Sequence, residues 1–205
     1  MKKMINTLIS LILLCVALSG WAKDTAPDLL VKNTVDEVIA IIKQDNGIKK
    51  GGKDRILDLV ENKILPHFNF TRMTQLAMGK NWSKVEPQQQ KELVNEFQTL
   101  LVRTYSNALT NYRDEVIEVN PISPQSDAKN TTVKTVVIQG RGKEPVPIDY
   151  SMEKTDNGWK VFDVTVAGVS LVTNYRSTFN SQIKKGGVNG LIESLAKKNK
   201  SLEGQ

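Results

Sequence analysis

Apolar positions recur at three- and four-residue steps through the first half of the chain and at two-residue steps through much of the second. The first pattern predicts amphipathic helices and the second half-buried strands. Between residues 28 and 44, Leu29, Val31, Val35, Val38, Ile39 and Ile42 form one apolar face, and Asn46-Gly47 predicts where it stops. A second helix is predicted over 53–65, with Ile56, Leu57, Val60, Ile64 and Leu65 inward and Pro66 ending it. A third is predicted over 71–79, capped by Thr71 and closed by Gly79, with Met73, Leu76 and Ala77 buried. The longest is predicted over 87–112, where Leu93, Phe97, Leu100, Leu101, Tyr105, Ala108, Leu109 and Tyr112 follow one another at helical spacing. Pro87 suits its first position, because that N–H would be unpaired anyway. At 1.5 Å per residue this helix spans roughly 39 Å, enough for one wall of a domain.

The period then changes. Short strands are predicted over 115–119 and 131–139. Val146, Ile148, Tyr150 and Met152 alternate with Pro147, Asp149, Ser151 and Glu153, which predicts a strand with one buried face. Asp156-Asn157-Gly158 predicts a hairpin turn, with a returning strand over 159–166. The strands together predict an antiparallel meander. Two more helices close the chain, one capped by Ser170 and carrying Leu171, Val172, Tyr175 and Phe179, the other marked by Val188, Leu191, Ile192 and Leu195. Lys49-Lys50-Gly51-Gly52 and Lys184-Lys185-Gly186-Gly187 are predicted as loops between helices, not as a repeat.

The N-terminus stands apart. Met1-Lys2-Lys3 is followed by a charge-free apolar run from Ile5 to Leu18 and then by Gly20-Trp21-Ala22. This is the three-part pattern of a secretory signal peptide. The run is about fourteen residues, short of the roughly 18–20 a membrane-spanning helix needs. Cys15 lies within it, but the bulky Leu13-Leu14 before it argue against a lipid-attachment site. Residues 1–22 are therefore expected to be removed, leaving 23–205 as a single domain in the periplasm. Removal takes away Lys2 and Lys3 and brings the formal charge from +6 to +4. A chain of this size buries about 70% of its unfolded surface and needs no covalent staples.

Composition narrows the chemistry. With one Cys and one His in 205 residues, disulfide frameworks, Cys-rich zinc sites and His-cluster metal sites are excluded. His67 is the only side chain with an unperturbed pKa near neutrality, but Pro66 and Phe68 around it suggest packing. Gly168-Val169-Ser170 lacks the second Gly of a nucleophile elbow. Asp149 and Asp163 lie on adjacent predicted strands, where a small cone-shaped fold can bury a catalytic base. Lys184, Lys185, Lys197, Lys198 and Lys200 face only Glu193 in the last helical stretch. Such a basic face can meet anionic phosphates or simply water, and export argues against nucleic acid. The apolar supply from separate elements, including Phe68, Trp82, Phe97 and Phe162, fits either a closed core or a deep apolar pocket. Periodicity does not separate the two.

Several stretches resemble the MlaC family of periplasmic phospholipid-binding proteins, also called toluene-tolerance auxiliary proteins. They are Ile64-Leu65-Pro66-His67-Phe68 with Phe70, then Met73 to Gly79, Trp82, Gln88 to Gln90, and Phe97, Leu101 and Thr104-Tyr105. The most telling are Gly158 to Val164, Gly168 to Val172 and Asn174-Tyr175-Arg176 to Phe179, followed by Gly187 to Leu195. Together they span essentially the whole mature chain. Glu86-Pro87 departs from the pattern, since a small hydroxyl cap is expected there.

The resemblance implies an α+β fold in which a strongly curved antiparallel sheet, cone-like and related to nuclear transport factor, is wrapped by about six helices around an apolar lipid cavity. It implies a non-enzymatic carrier with no cofactor or metal, working as a monomer with a diacyl glycerophospholipid as cargo. The implied partners are an MlaA-like outer-membrane lipoprotein complex and the MlaD-like substrate-binding subunit of an inner-membrane ABC transporter, and the implied role is outer-membrane lipid asymmetry. On this fold the expected lining is Phe70, Met73, Leu76, Phe97, Leu101 and Tyr105 from helices, and Val136, Ile138, Ile148, Tyr150, Met152, Val164 and Val166 from the sheet. Val169, Leu171 and Tyr175 are expected near the mouth, and Arg176 is expected to form a structural ion pair rather than hold a head group.

Overall fold

The computed structural model describes residues 25–50, 52–112, 114–122, 128–140 and 142–203. The segment read as a signal peptide, Cys15 included, lies outside them. Helix α1, Pro27–Gln44, starts on a proline and buries Val31, Val38 and Ile42. It stops at Asp45, whose carboxylate accepts from the Gly47 and Ile48 N–H groups at 2.7 and 3.1 Å and so opens the single turn α2, Asn46–Lys49. Arg55 donates to the other oxygen of Asp45 at 2.8 Å and, with those amides, holds this carboxyl below its usual pKa. Helix α3, Lys53–Leu59, runs into a wider π-type turn, Val60–Ile64, and a tight one, Leu65–His67. Pro66 allows no continuation, and the chain becomes extended at Phe68.

Helix α4, Phe70–Met78, begins one residue earlier than the sequence predicts. Its cap is Asn69, whose side chain accepts from the Arg72 N–H at 3.0 Å, and Thr71 sits inside the first turn. Asn caps at least as well as Thr, so the earlier start wins. Gly79 ends the helix at φ 54°, a left-handed backbone that favours glycine. Helix α5, Pro87–Thr110, needs no hydroxyl cap. Gln89 accepts from the Glu86 N–H at 3.2 Å, and Gln90 donates to the Val85 carbonyl at 3.0 Å.

Strands β1 (Val116–Val119), β2 (Asn130–Ile138), β3 (Val146–Thr155), β4 (Gly158–Val166) and β5 (Val169–Ser170) form one antiparallel sheet in sequence order. It is curved and does not close on itself. Register shifts between Ser151 and Met152, which pair with Asp163 and Val161. The extra residue is a bulge, and it bends the sheet while keeping Val161 and Val164 on the concave face.

Helix α6, Leu171–Glu203, runs through both predicted C-terminal helices and breaks only at Gly187, with φ 68° and ψ −166°. Lys184, Lys185 and Gly186, predicted as loop, are helical, because only Gly187 leaves helical geometry. The Ser170 side chain accepts from the Thr173 N–H at 3.0 Å, as a cap should. Phe97, Phe179, Met73, Leu93 and Leu191 from α4, α5 and α6 pack into a fully buried core. A second cluster joins α1, α2 and α3, and a third joins Val31 of α1 to Val133, Met152 and Val161 of the sheet.

Candidate functional site

A cavity of about 370 Å³ lies between the concave face of the sheet and the helices. The wall contributed by α1 includes Leu30, Val31, Thr34, Val35, Val38, Ile39 and Ile42. Val60, Ile64, Leu65, His67, Phe68, Phe70 and Met73 continue it, and α5 adds Leu101, Val102, Tyr105, Ser106, Ala108, Leu109 and, just beyond, Tyr112. The sheet supplies Ile117, Ile148, Tyr150, Met152, Val161, Val164 and Val166, and Leu171 starts α6. No Asp, Glu, Lys or Arg stands among these residues. Among them only Tyr105 and Ala108 are exposed, so the opening lies beside the C-terminal half of α5. Val169, paired with the lining residue Val166, is 57% exposed at the adjoining turn.

The sheet positions its lining by register. Val133, Tyr150 and Val164 stand opposite one another, as do Thr135, Ile148 and Val166. Residues in register point to the same side, so these rows share the concave face. Ala167 and Gly168, at φ 48° and 82°, make the two-residue turn between Val166 and Val169. Polar groups near the cavity are satisfied locally. The Tyr150 hydroxyl bonds to that of Thr135, which donates to the Ile148 carbonyl at 2.8 Å. Burial pushes the Tyr150 hydroxyl up in pKa, more than that bond lowers it. Burial pulls His67 down, the nearby Lys160 cation lowers it further, and Glu37 partly opposes them, so the imidazole is neutral at neutral pH.

Of the residues expected to line the cavity, Phe70, Met73, Leu101, Tyr105, Ile148, Tyr150, Met152, Val164, Val166 and Leu171 do so. Six do not. Phe97 and Tyr175 belong to the helical core, ring centroids 5.0 Å apart, and Leu76 packs against that core. Val136 and Ile138 pair with Glu118 and Val116 on the convex face, one residue out of phase with Val133 and Thr135. Val169 faces solvent at the rim. The wall from α1 was not anticipated, although the apolar face that forms it was.

The candidate chemical groups are tied into structure. The Asp163 carboxylate accepts from Ser170 at 2.6 Å and from the Val172 N–H at 3.1 Å, pinning the start of α6 to β4. Asp149 lies between the lining residues Ile148 and Tyr150 and therefore points to the other face. Arg176 donates to the Leu76 carbonyl at 2.8 Å, fastening α6 to α4 by a hydrogen bond rather than the expected ion pair.

Known proteins resemble this chain in sequence and fold. The profile of the MlaC protein family matches residues 32–197. The chain belongs to the MlaC family. The intermembrane phospholipid transport system binding protein MlaC of Haemophilus influenzae is 23% identical over 174 residues, 84% of this chain and 81% of that one. The toluene tolerance protein ttg2D of Pseudomonas putida is 24% identical over 162 residues, 78% and 74% of the two chains. The phospholipid-binding protein of Ralstonia solanacearum, solved in complex with a phospholipid, superposes with a TM-score of 0.80 at 38% identity. That match covers 87% of this chain and 99% of the other. It supports the α+β cone-like fold expected for this MlaC-family chain. Among the described residues, no helix is long and apolar enough to cross a membrane.

Proposed function

We propose that this chain is a phospholipid carrier of the periplasm, exported by residues 1–22. Its cargo is a diacyl glycerophospholipid with acyl chains in the cavity and head group at the opening near Tyr105. The observation that carries this reading is a charge-free apolar cavity, in a fold whose Ralstonia relative was solved with a phospholipid. Each acyl methylene exposed to water costs about 0.8 kcal/mol, so two chains of about fifteen methylenes cost roughly 25 kcal/mol. A lipid crosses an aqueous gap only if a protein replaces that apolar surrounding. Transfer then follows differences in affinity between carrier and membrane partners. We assign those partners as an MlaA-like outer-membrane complex and an MlaD-like subunit of an inner-membrane ABC transporter. No bond is made or broken, and the reading gives no residue a catalytic role.

Native mass spectrometry of residues 23–205, with lipid analysis of the organic extract, tests the proposal. The expected result is a stoichiometric increment matching a diacyl phospholipid, lost in Val164→Trp, which puts an indole on the cavity-lining face of β4. A wild-type protein that stays at its bare mass after incubation with phospholipid vesicles overturns it.

A further inference from the structure

A second, more open space of about 450 Å³ adjoins the cavity. Leu65, Phe68 and Phe70 line both spaces, so one layer of side chains divides them. The groove beyond is bounded by Val94 and Gln98 of α5, Thr155 and Asn157 of the β3–β4 hairpin, and Lys160. The two rings of the divider stack with centroids 5.6 Å apart and planes at 19°. Neither is fully buried. Their backbone, in contrast, is held. The Asn69 N–H donates to the Val161 carbonyl at 2.8 Å, and the Asn69 side chain caps α4 while donating to Glu153 at 2.8 Å. What these hydrogen bonds leave unfastened in the wall is the rings themselves.

The position of the wall matters for cargo. Phe68 bridges to Val161, whose partner Met152 stands four residues along β3 from Ile148, the partner of Val166, a distance of about 13 Å at strand rise. A chain longer than the cavity meets this wall, and the more open groove lies directly behind it. We propose that Phe68 and Phe70 form a yielding end wall that sets the acyl-chain length accepted, with the methyl end of a longer chain pushing the rings toward the groove. This rests on the carrier reading and adds a determinant of cargo selection.

The test is lipid exchange between residues 23–205 and vesicles of phosphatidylethanolamines whose acyl chains differ in two-carbon steps, read by native mass spectrometry. Phe68→Ala and Phe70→Ala should each enrich the longest lipid relative to wild type, by about fourfold for each extra methylene accommodated. Phe70→Trp should shift the bound lipids toward shorter chains, which keeps the test decisive if an alanine variant fails to fold. Lipid uptake with one unchanged length distribution in wild type, Phe70→Ala and Phe70→Trp overturns the inference alone. A wild-type protein that takes up no lipid of any length overturns the carrier reading, and the inference with it.

Discussion

The two ends of α5 use the same kinds of residue for opposite purposes. Leu93, Phe97 and Leu100 meet α4 and α6 and are packed on every side. Val102, Tyr105 and Leu109, further along the same helix, face the cavity. Core residues gain from dispersion contacts with many neighbours. Lining residues forgo part of that gain so that a ligand can supply it. One continuous apolar stripe thus serves as glue at one end and as a receptor at the other, and the difference lies in what stands opposite.

Truncation at both ends sharpens this contrast and gives the largest expected effect. Phe97→Ala removes a fully buried ring from the centre of the helical core. It should cost about 3–5 kcal/mol in urea unfolding. Leu109→Ala trims a side chain that already borders empty space, and in lipid-free protein it should cost below about 1 kcal/mol. Equal losses in the two variants would mean that the cavity wall is packed as tightly as the core.

Legibility in the sequence follows the same division. Periods of 3.6 and 2 revealed the long helices and the meander, because each element buries one face whatever it buries it against. They did not reveal which buried faces surround a void. The stripe of α1 was plain as Val31, Val35, Val38 and Ile42, yet a stripe carries no mark that distinguishes a neighbouring helix from a cavity. On β2 a signal did exist. Lys134 shares its parity with Val136 and Ile138, so the charge already places those two residues on the convex face and Val133 and Thr135 inside. Phe97 was misplaced because the cluster it joins, with Tyr175 and Phe179, is assembled from distant segments. The helical Lys184-Lys185-Gly186 shows the limit of breaker signals, since one of two adjacent glycines is enough to turn the chain.

A smaller effect is expected where the cavity wall is fastened to the core. Asp163 links β4, whose neighbouring Val164 and Val166 line the cavity, to the first turn of α6, whose Val172 is core. Its negative charge sits at a helix N-terminus, where anions are favoured. Asp163→Asn keeps an acceptor but loses the charge, and should lower stability by about 1 kcal/mol without changing how much lipid is bound. A variant of unaltered stability that no longer functions would instead assign Asp163 a chemical role.

The smallest effect is expected at His67, the one titratable group near neutrality on the cavity wall. Its folded-state pKa lies below 6.5, because burial and then Lys160 disfavour the imidazolium more than Glu37 favours it. The unfolded chain therefore binds this proton more readily than the folded one. Stability contributed by the neutral imidazole is complete above 6.5 and falls as pH drops from there toward the folded pKa, below which it changes no further. Because the ring is partly exposed, solvent weakens the effect. The fall in Tm attributable to His67 should stay below the roughly 2–4 °C that 1 kcal/mol is worth in a chain of this size. Thermal unfolding of wild type and His67→Gln between about pH 5 and 7.5 isolates it, since other groups titrate alike in both proteins. The variant should show the shallower decline toward acid. Parallel curves would mean that the imidazole reaches water as freely in the folded chain as in the unfolded one, and that the cavity wall is open at His67 rather than sealed.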